Sequence, residues 1–310
     1  MTGKSLFHES VLSQEVLSKL ISAETKSVFE GTLGLGGHTE LILNNYPQIS
    51  LYLATELDEQ HLNFAKKRLH KFSKKLKVFR ENFVNLKNII KKEAPERPLV
   101  IFLDLGLCSN QIDDNQKGFS FSGDGPLKMA FDGHDGAKKI LNTANEQKLS
   151  EIIQKYGEEP LAKKIARAVL KFREKKELQT TGELREIIEN CVHPTKRSKA
   201  LTRVFQAIRI AVNDELNILE KTIDNSFEVM EIGDKLGIIS YHSLEDRLVK
   251  NKFKKVTRPL TQESQYSLHE IVAEPNFKLL TKKPLKPSTE EISRNPRSRS
   301  AVFRIVEKIK

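Results

Sequence analysis

An α/β fold is what this sequence predicts: a doubly wound, seven-stranded parallel sheet with an inserted α-helical domain. Three observations carry that reading. Residues 27–106 alternate short apolar runs with amphipathic stretches, the strand–helix rhythm of a parallel sheet. Residues 140–223 hold strongly helical sequence with no strand-like interruption. Strand character returns at 236–240 and 301–306, late enough to complete the sheet around the insertion. The implied division gives 1–112 and 214–310 to the two parts of the sheet domain and 113–213 to the helical one.

The first strand candidate, Val28-Phe29, ends in Glu30. After it comes Gly31-Thr32-Leu33-Gly34-Leu35-Gly36-Gly37-His38, with four glycines in seven residues, and then helical sequence from Thr39 to Leu43. A glycine turn between strand and helix lets a ligand reach bare backbone. The second strand candidate, 51–54, runs to Glu56, 22 residues beyond Gly34. Nucleotide-binding α/β folds place there the carboxylate that accepts both ribose hydroxyls. The dinucleotide fingerprint fails, because Thr39 stands where its third glycine belongs. The turn therefore suits a nucleoside without a pyrophosphate, and S-adenosylmethionine is the obvious one. A glycine-rich surface loop with a chance acid downstream is the alternative reading.

Residues 61–72 follow as a helix with Leu62, Ala65 and Leu69 on one face. Strand candidates at 76–79 and 99–103 complete the first part, the latter ending in Asp104. Ligands in such sheets bind at the carboxyl ends of strands. Glu30, Glu56, the loop Asn82-Phe83 and Asp104 all fall at those ends, and four such positions outweigh any single motif.

Beyond a polar loop, 113–136, Pro160 suits a first helical position, with Leu161, Ile165, Val169 and Phe172 repeating on one face. Lys163, Lys164, Arg167 and Lys171 lie mainly on the others. Leu201, Val204, Phe205, Ile208, Val212, Leu216, Leu219 and Ile223 read as one further helix. The segment 282–299, rich in Pro, Lys, Arg and Ser, is expected to be extended and mobile.

Composition narrows the partner. Lys plus Arg number 52 against 41 Asp plus Glu, a net charge of +11. That surplus points to a polyanion, most simply nucleic acid. The two cysteines, Cys108 and Cys191, have neither metal-type nor disulfide-framework spacing, as in a reducing compartment. No apolar run approaches the roughly 18 residues that span a bilayer, and Met1-Thr2-Gly3-Lys4-Ser5 lacks a signal-peptide apolar segment. The expectation is a cytoplasmic protein without a membrane partner.

Chemistry concentrates after the fourth strand, in Asp104-Leu105-Gly106-Leu107-Cys108-Ser109-Asn110-Gln111, then Lys117-Gly118-Phe119-Ser120-Phe121 and Asp124-Gly125-Pro126-Leu127. Later stands Ile239-Ser240-Tyr241-His242-Ser243-Leu244-Glu245-Asp246-Arg247. With His8-x-Ser10-Val11-Leu12-x-x-Glu15-Val16-Leu17 and Asn295-Pro296-Arg297-Ser298-Arg299-Ser300-Ala301, these blocks closely resemble the bacterial 16S ribosomal RNA cytosine-N4 methyltransferase family. The resemblance runs from about His8 to the end of the chain. It implies a Rossmann-like, seven-stranded S-adenosylmethionine-dependent methyltransferase core. The implied reaction is N4-methylation of a decoding-centre cytidine of 16S ribosomal RNA in the small ribosomal subunit.

By motif, cofactor contacts fall on Gly36, Gly37, His38, Glu56, Phe83, Asp104 and Gln111. Three departures stand out. Glu56 replaces the usual Asp and reaches one methylene further. Cys108-Ser109-Asn110-Gln111 replaces serine-serine-proline-glutamine, which loosens the loop. Met129-Ala130-Phe131 replaces Met-Arg-Met, which removes a basic group and bears on how RNA is held.

The residues support the same chemistry. A cytosine amine is a poor nucleophile, so it must be placed in line with the methyl group while its N–H groups are hydrogen-bonded. Asp104, Ser109, Asn110 and the loop carbonyls are the acceptors suited to this. No metal and no covalent nucleophile is required. The unstacked base needs aromatic faces, for which Phe119, Phe121 and Tyr241 are candidates, although each suits a core equally well. His242 is a candidate base or a structural residue. Phosphate contacts are expected of Lys196, Arg197 and Lys199, with further clusters at Lys250, Lys252, Lys254 and Lys255 and at Lys282-Lys283. Two rivals remain: a carbon-5 pyrimidine methyltransferase using Cys108 as nucleophile, and a binding module that has lost activity.

Overall fold

The computed structural model describes residues 10–262 and 270–310. Nine strands are named here in chain order: β1 Ser27–Glu30, β2 Leu51–Thr55, β3 Leu76–Phe79, β4 Leu99–Asp104, β5 Lys235–Ser240, β6 Leu260–Gln262, β7 Glu270–Ala273, β8 Phe277–Leu279 and β9 Val302–Lys308. Seven of them form one sheet in the order β3-β2-β1-β4-β5-β9-β8, while β6 and β7 make a separate antiparallel pair. The fold is α/β and Rossmann-like, as expected.

β1 to β5 run parallel and β9 lies antiparallel between β5 and β8, so the sheet is mixed, with one reversed strand, where a wholly parallel one was expected. β8 leaves no mark in the sequence, because three residues after Pro275-Asn276 are too few to show a period. The central strands are buried on both faces, and the alternation of β1 sends Val28 to one apolar layer and Phe29 to the other. Strands covered on both sides read as continuous apolar runs, which is why Leu99 to Leu103 could be found by eye.

The chain parts into two compact units, one ending at Gly106 and resuming at Ile218, the other Leu107–Asn217. The second unit is helical, with helices Glu146–Gly157, Ala162–Arg173, Thr181–Cys191 and Arg197–Asn213 around one apolar cluster. Two expectations fail in this region. Leu161 is half out of the fold at 36% exposure, and the helix begins at Ala162, with Ala162 and Ala166 taking inward places beside Ile165 and Val169. The long helix expected through 201–223 is two, Arg197–Asn213 and Glu215–Val229, because Asp214 is left-handed at φ 50°. Asp tolerates that conformation better than most residues. Asn213 fixes the break by donating to the carbonyls of Met129 and Arg209 and accepting from the Phe131 amide.

Residues 282–299 are not simply extended. They contain the helix Thr289–Arg294, capped by Ser288, and Leu285 bridges to Phe303 of β9. Glu291 Oε1 accepts the Leu12 amide at 2.8 Å and so ties the segment to the start of the described chain. Among the described residues no helix is long and apolar enough to cross a membrane.

Candidate active site

The sheet order reverses beside β1, which has β2 on one side and β4 on the other. Such a switch point opens a crevice at the carboxyl ends of the strands. Register brings the ends level: Glu30 lies opposite Ala54 and Phe102, and Thr55 opposite Phe79. The glycine turn is stitched into that edge. Gly31 N donates to Phe102 O at 2.9 Å, Leu33 N to Thr55 O at 3.1 Å, and the Asp104 amide to Thr32 Oγ1 at 2.7 Å. A β-carbon on Gly31 would collide with Leu103 and fall 2.8 Å from Phe83, so the turn can press against both only as glycine. Gly36 has φ +79° and caps the helix Gly37–Asn45, whereas the side-chain direction of Gly34 is open.

Glu56 follows β2. Its Oε2 accepts the Gly34 amide and its Oε1 the Asp58 amide, both at 2.8 Å. The carboxylate therefore bridges the glycine turn and the cap of the helix Glu59–Arg68. Burial raises its pKa to about 7, against the hydrogen bonds that favour the charge.

Glu30 is 1% exposed. Its Oε2 accepts from the Tyr52 hydroxyl at 2.7 Å and from Thr39. Burial raises this acid too, to about 7. His38, 5% exposed, sets Nε2 3.4 Å from Asp104 Oδ2, an ion-pair contact without hydrogen-bond alignment. Both of its ring nitrogens are buried and lack a hydrogen-bond partner among the described residues. Burial opposes a charge on this ring, but Asp104, then Glu30 and Glu291, outweigh it and raise the pKa. The Tyr241 hydroxyl donates to Asp104 Oδ1 at 2.8 Å, and burial with the Asp104 charge holds its proton well above the ordinary tyrosine range. Gly106, at φ +97°, gives the Tyr241 ring room.

One cluster thus joins Glu30, His38, Glu56, Phe83, Asp104 and Tyr241 at a single sheet edge. Thr32, Thr39 and Tyr52 belong to it and were missed from sequence. Thr39 registers there only as a missing glycine, and Tyr52 as an apolar strand residue. A hydroxyl two turns or one strand away from an acid leaves no local pattern.

His242 has a structural position. It caps the helix Ser243–Val256 by accepting the Glu245 amide at Nδ1, while Glu245 Oε2 accepts the amides of Tyr241 and His242. Its Nε2 lies 3.1 Å from Glu245 Oε1. One residue further along that helix, Asp246 receives Arg304 of β9 through two nitrogens. The block from Tyr241 to Arg247 is therefore a reciprocal helix cap and anchor that holds Tyr241 in place.

In the helical unit Cys108 caps the short helix Ser109–Asp113, and Gln111 closes the box by accepting the Cys108 amide at 3.2 Å. Asn110 is half-buried on that helix. Phe119 is buried and Phe121 half-buried, both against the apolar cluster of the helical unit. Phe119 is 8% exposed and stacks on Phe131, and Phe121 meets Phe205 edge-on. Arg197 is also committed, its Nε donating to Glu189 O at the end of the helix Thr181–Cys191. Lys196 and Lys199 are exposed and without an ion pair among the described residues. Of the other expected clusters, Lys252 is spent on Glu220 and Asp224. His8 lies outside the described residues.

Known proteins resemble this chain over nearly its whole length. It is 37% identical over 309 residues to the Ribosomal RNA small subunit methyltransferase H of Halothermothrix orenii, covering 98% of this chain and 99% of that one. The protein of the same name from Chlorobium phaeovibrioides is 40% identical over 320 residues, with 99% and 98% covered. That from Clostridioides difficile is 36% identical over 313 residues, with 97% and 99% covered. The profile of the MraW methylase family matches residues 5–309. Relatives of this similarity, and a profile that spans the chain, leave one conclusion: the chain belongs to the MraW methylase family.

Proposed function

We propose that this methylase transfers the methyl group of S-adenosylmethionine to the N4 amine of a decoding-centre cytidine in 16S ribosomal RNA. The observation that carries the reading is the buried acid–histidine–tyrosine cluster at the sheet's switch point, in a chain whose relatives are named small-subunit ribosomal RNA methyltransferases. The residues fit that cofactor. Gly34 leaves backbone open, Gly36 takes the positive φ that turns the chain into the helix, Glu56 offers a carboxylate for ribose hydroxyls, and His38 has buried nitrogens with hydrogen-bonding capacity to spare. Gly37 and Phe83 complete the contacts in this unit, and Gln111 is assigned a contact through the resemblance alone.

When bound, the cofactor supplies an electrophilic methyl group and needs no further activation. The protein's part is placement. Asp104 is fixed by its backbone to Thr32 and by its side chain to Tyr241, so its carboxylate presents a rigid acceptor for an amine N–H. Accepting that N–H directs the amine lone pair away from the ring, and a preorganised acceptor does so without reorganising water. Asn110 and Ser109 are assigned the same role by motif. Lys196 and Lys199 of the helical unit, the RNA-recognition domain in this reading, would meet phosphates. The compartment is the cytoplasm, where the small subunit is assembled.

The test is the digest of small-subunit RNA, analysed by mass spectrometry, from cells with and without this protein. Loss of N4-methylcytidine at one decoding-centre position is expected when the protein is absent. An unchanged digest overturns the proposal.

A further inference from the structure

We propose that the sheet unit bears a second RNA-contact surface, built from residues 66–77 on the edge of the sheet away from Asp104. The proposal rests on the reading of the chain as a ribosomal RNA methyltransferase. The basic clusters expected from sequence lie elsewhere, yet the densest one is here. Between Gln60 and Arg80 there are eight Lys and Arg and no Asp or Glu, in a chain whose total net charge is +11.

Arg68, whose Nη1 donates to Leu35 O, and Leu69, packed under Gly36, touch the glycine turn, and beyond them the fold carries this run away from the active site. The helix Glu59–Arg68 starts beside Glu56 and carries the chain back to the opposite edge, where β3 begins. Lys71 Nζ donates to Asn44 Oδ1 and Lys75 Nζ to Pro47 O, at the far end of the helix whose first turn holds Gly37 and His38. Nine residues of helix separate those ends, about 13 Å.

Internal ion pairs account for half of the charge. Arg68 and Lys71 share Glu40, Lys77 meets Glu93, and Arg80 meets Glu59. Lys66, Lys67 and Lys74 are exposed and have no acid within ion-pair distance among the described residues. The end of a helix favours nearby cations, which suits Lys66 and Lys67. It gives no reason for Lys74, nor for keeping acids out of 21 consecutive residues. Phe64, 36% exposed, stands on the same helix, and Lys71 lies over the Phe72 ring at 4.9 Å. Clustered lysines without acids, with an exposed aromatic ring among them, are the footprint of a phosphate backbone. A membrane surface would demand more apolar reach than the single exposed Phe64.

The test uses the full chain and purified, unmethylated small ribosomal subunits at several salt concentrations. In Lys66→Glu/Lys67→Glu/Lys74→Glu the salt slope of binding should fall by about two to three, one per phosphate contact. KM for the subunit should rise about tenfold or more, with kcat and S-adenosylmethionine affinity unchanged. The gentler Lys66→Gln/Lys67→Gln/Lys74→Gln variant should show the same loss of slope. If the wild type methylates the subunit and both variants match it in slope and KM, this surface is disproved alone. If the wild type does not methylate the subunit, the reading beneath it fails. A variant that loses binding only to phosphatidylglycerol vesicles overturns the RNA assignment in favour of a lipid surface.

Discussion

The two units of this chain differ most in what they bury. The helical unit packs Leu, Ile, Val, Ala and Phe around one cluster. Among the described residues its only strongly buried acidic or basic side chain is Glu159, whose Oε1 accepts the Leu161 amide. The sheet unit buries Glu30, Asp58, His38, His61, Asp234, Glu245 and Arg304, most of them near strand ends. Burying a charge is costly unless partners offset it, so a fold seeking only stability would avoid it. The helical unit does avoid it. Asp234, at the amino end of β5, holds Arg97 and the Leu99 amide, and Arg304 pairs with Asp246. Glu30, His38, Asp58, His61 and Glu245 gather at or just beyond the carboxyl ends, where a cluster of buried ionisable groups is a candidate for binding and chemistry.

The sharpest way to break that contrast is to empty the sheet edge of an acid. Glu56→Ala should weaken S-adenosylmethionine binding about 100-fold or more, since hydrogen bonds to a charged acceptor contribute roughly 1.5–3 kcal/mol each and two are lost. Calorimetry reads this directly. Near-normal affinity would remove the ribose from Glu56.

The opposite experiment belongs to the helical unit. Leu141 and Ile165 are both fully buried in its cluster. Leu141→Ala or Ile165→Ala should cost about 2–5 kcal/mol of stability through lost burial and a cavity. If the units are as distinct energetically as they are in composition, calorimetric melting will show this unit unfolding earlier, with cofactor affinity intact. A matching loss of cofactor affinity would show the units to be one cooperative body.

Acidity separates the units as well. Glu56 and Glu30 both have pKa values raised to about 7 by burial. The folded state therefore holds these protons more tightly than the unfolded chain. Their contribution to stability is present below about 4.5 and is lost as pH rises through 7. Cofactor binding runs the other way, because only the ionised Glu56 accepts two hydroxyls well. Affinity should rise about tenfold from roughly pH 6 to 8 and level off above. Glu56→Gln should flatten that rise; a flat profile in the wild type would show that Glu56 is already ionised.

A smaller effect is expected at the proposed RNA contacts of the helical unit. Lys196→Glu with Lys199→Glu should reduce the salt slope of subunit binding by about two and leave cofactor affinity unchanged. Arg197 is the wrong probe, because its guanidinium caps the helix Thr181–Cys191 and its loss would confuse folding with binding.

How far the sequence could be read follows the same division. Six of the seven sheet strands and the acids at their ends were legible, because buried parallel strands are apolar runs and ligands gather at their carboxyl ends. The antiparallel direction of β9 and the existence of β8 were not, since direction is a property of the connection and three residues hold no period. The break at Asp214 was masked by a heptad-like apolar pattern that continues straight through it. Within the site, Glu56 and Asp104 could be named, but Thr39 and Tyr52 could not, because hydrogen bonds between distant segments have no spacing rule. Phe119 and Phe121, which pack on Phe131 and Phe205, are ambiguous in sequence for a simpler reason. An aromatic side chain reads the same whether it faces a base or a core.

The mildest substitution settles the chemistry. Were Cys108 a covalent nucleophile adding to the pyrimidine ring, serine in its place would abolish methylation, because a hydroxyl is far less nucleophilic than a thiolate. The geometry gives Cys108 a different part. It stands at the N-cap of the helix Ser109–Asp113, and Gln111 accepts its amide in a closed box. Serine is among the best residues at an N-cap, so Cys108→Ser should preserve or slightly improve the helix, by roughly 1 kcal/mol at most. Activity should be retained, and the product should be N4-methylcytidine and not 5-methylcytidine, isomers that chromatography with mass spectrometry separates. Serine-variant inactivity together with a trapped protein–RNA adduct in the wild type would replace direct attack by the amine with covalent catalysis. Retained activity makes the contrast complete. That outcome would leave the thiol of the helical unit to shape a turn and the acids of the sheet unit to carry the proposed reaction.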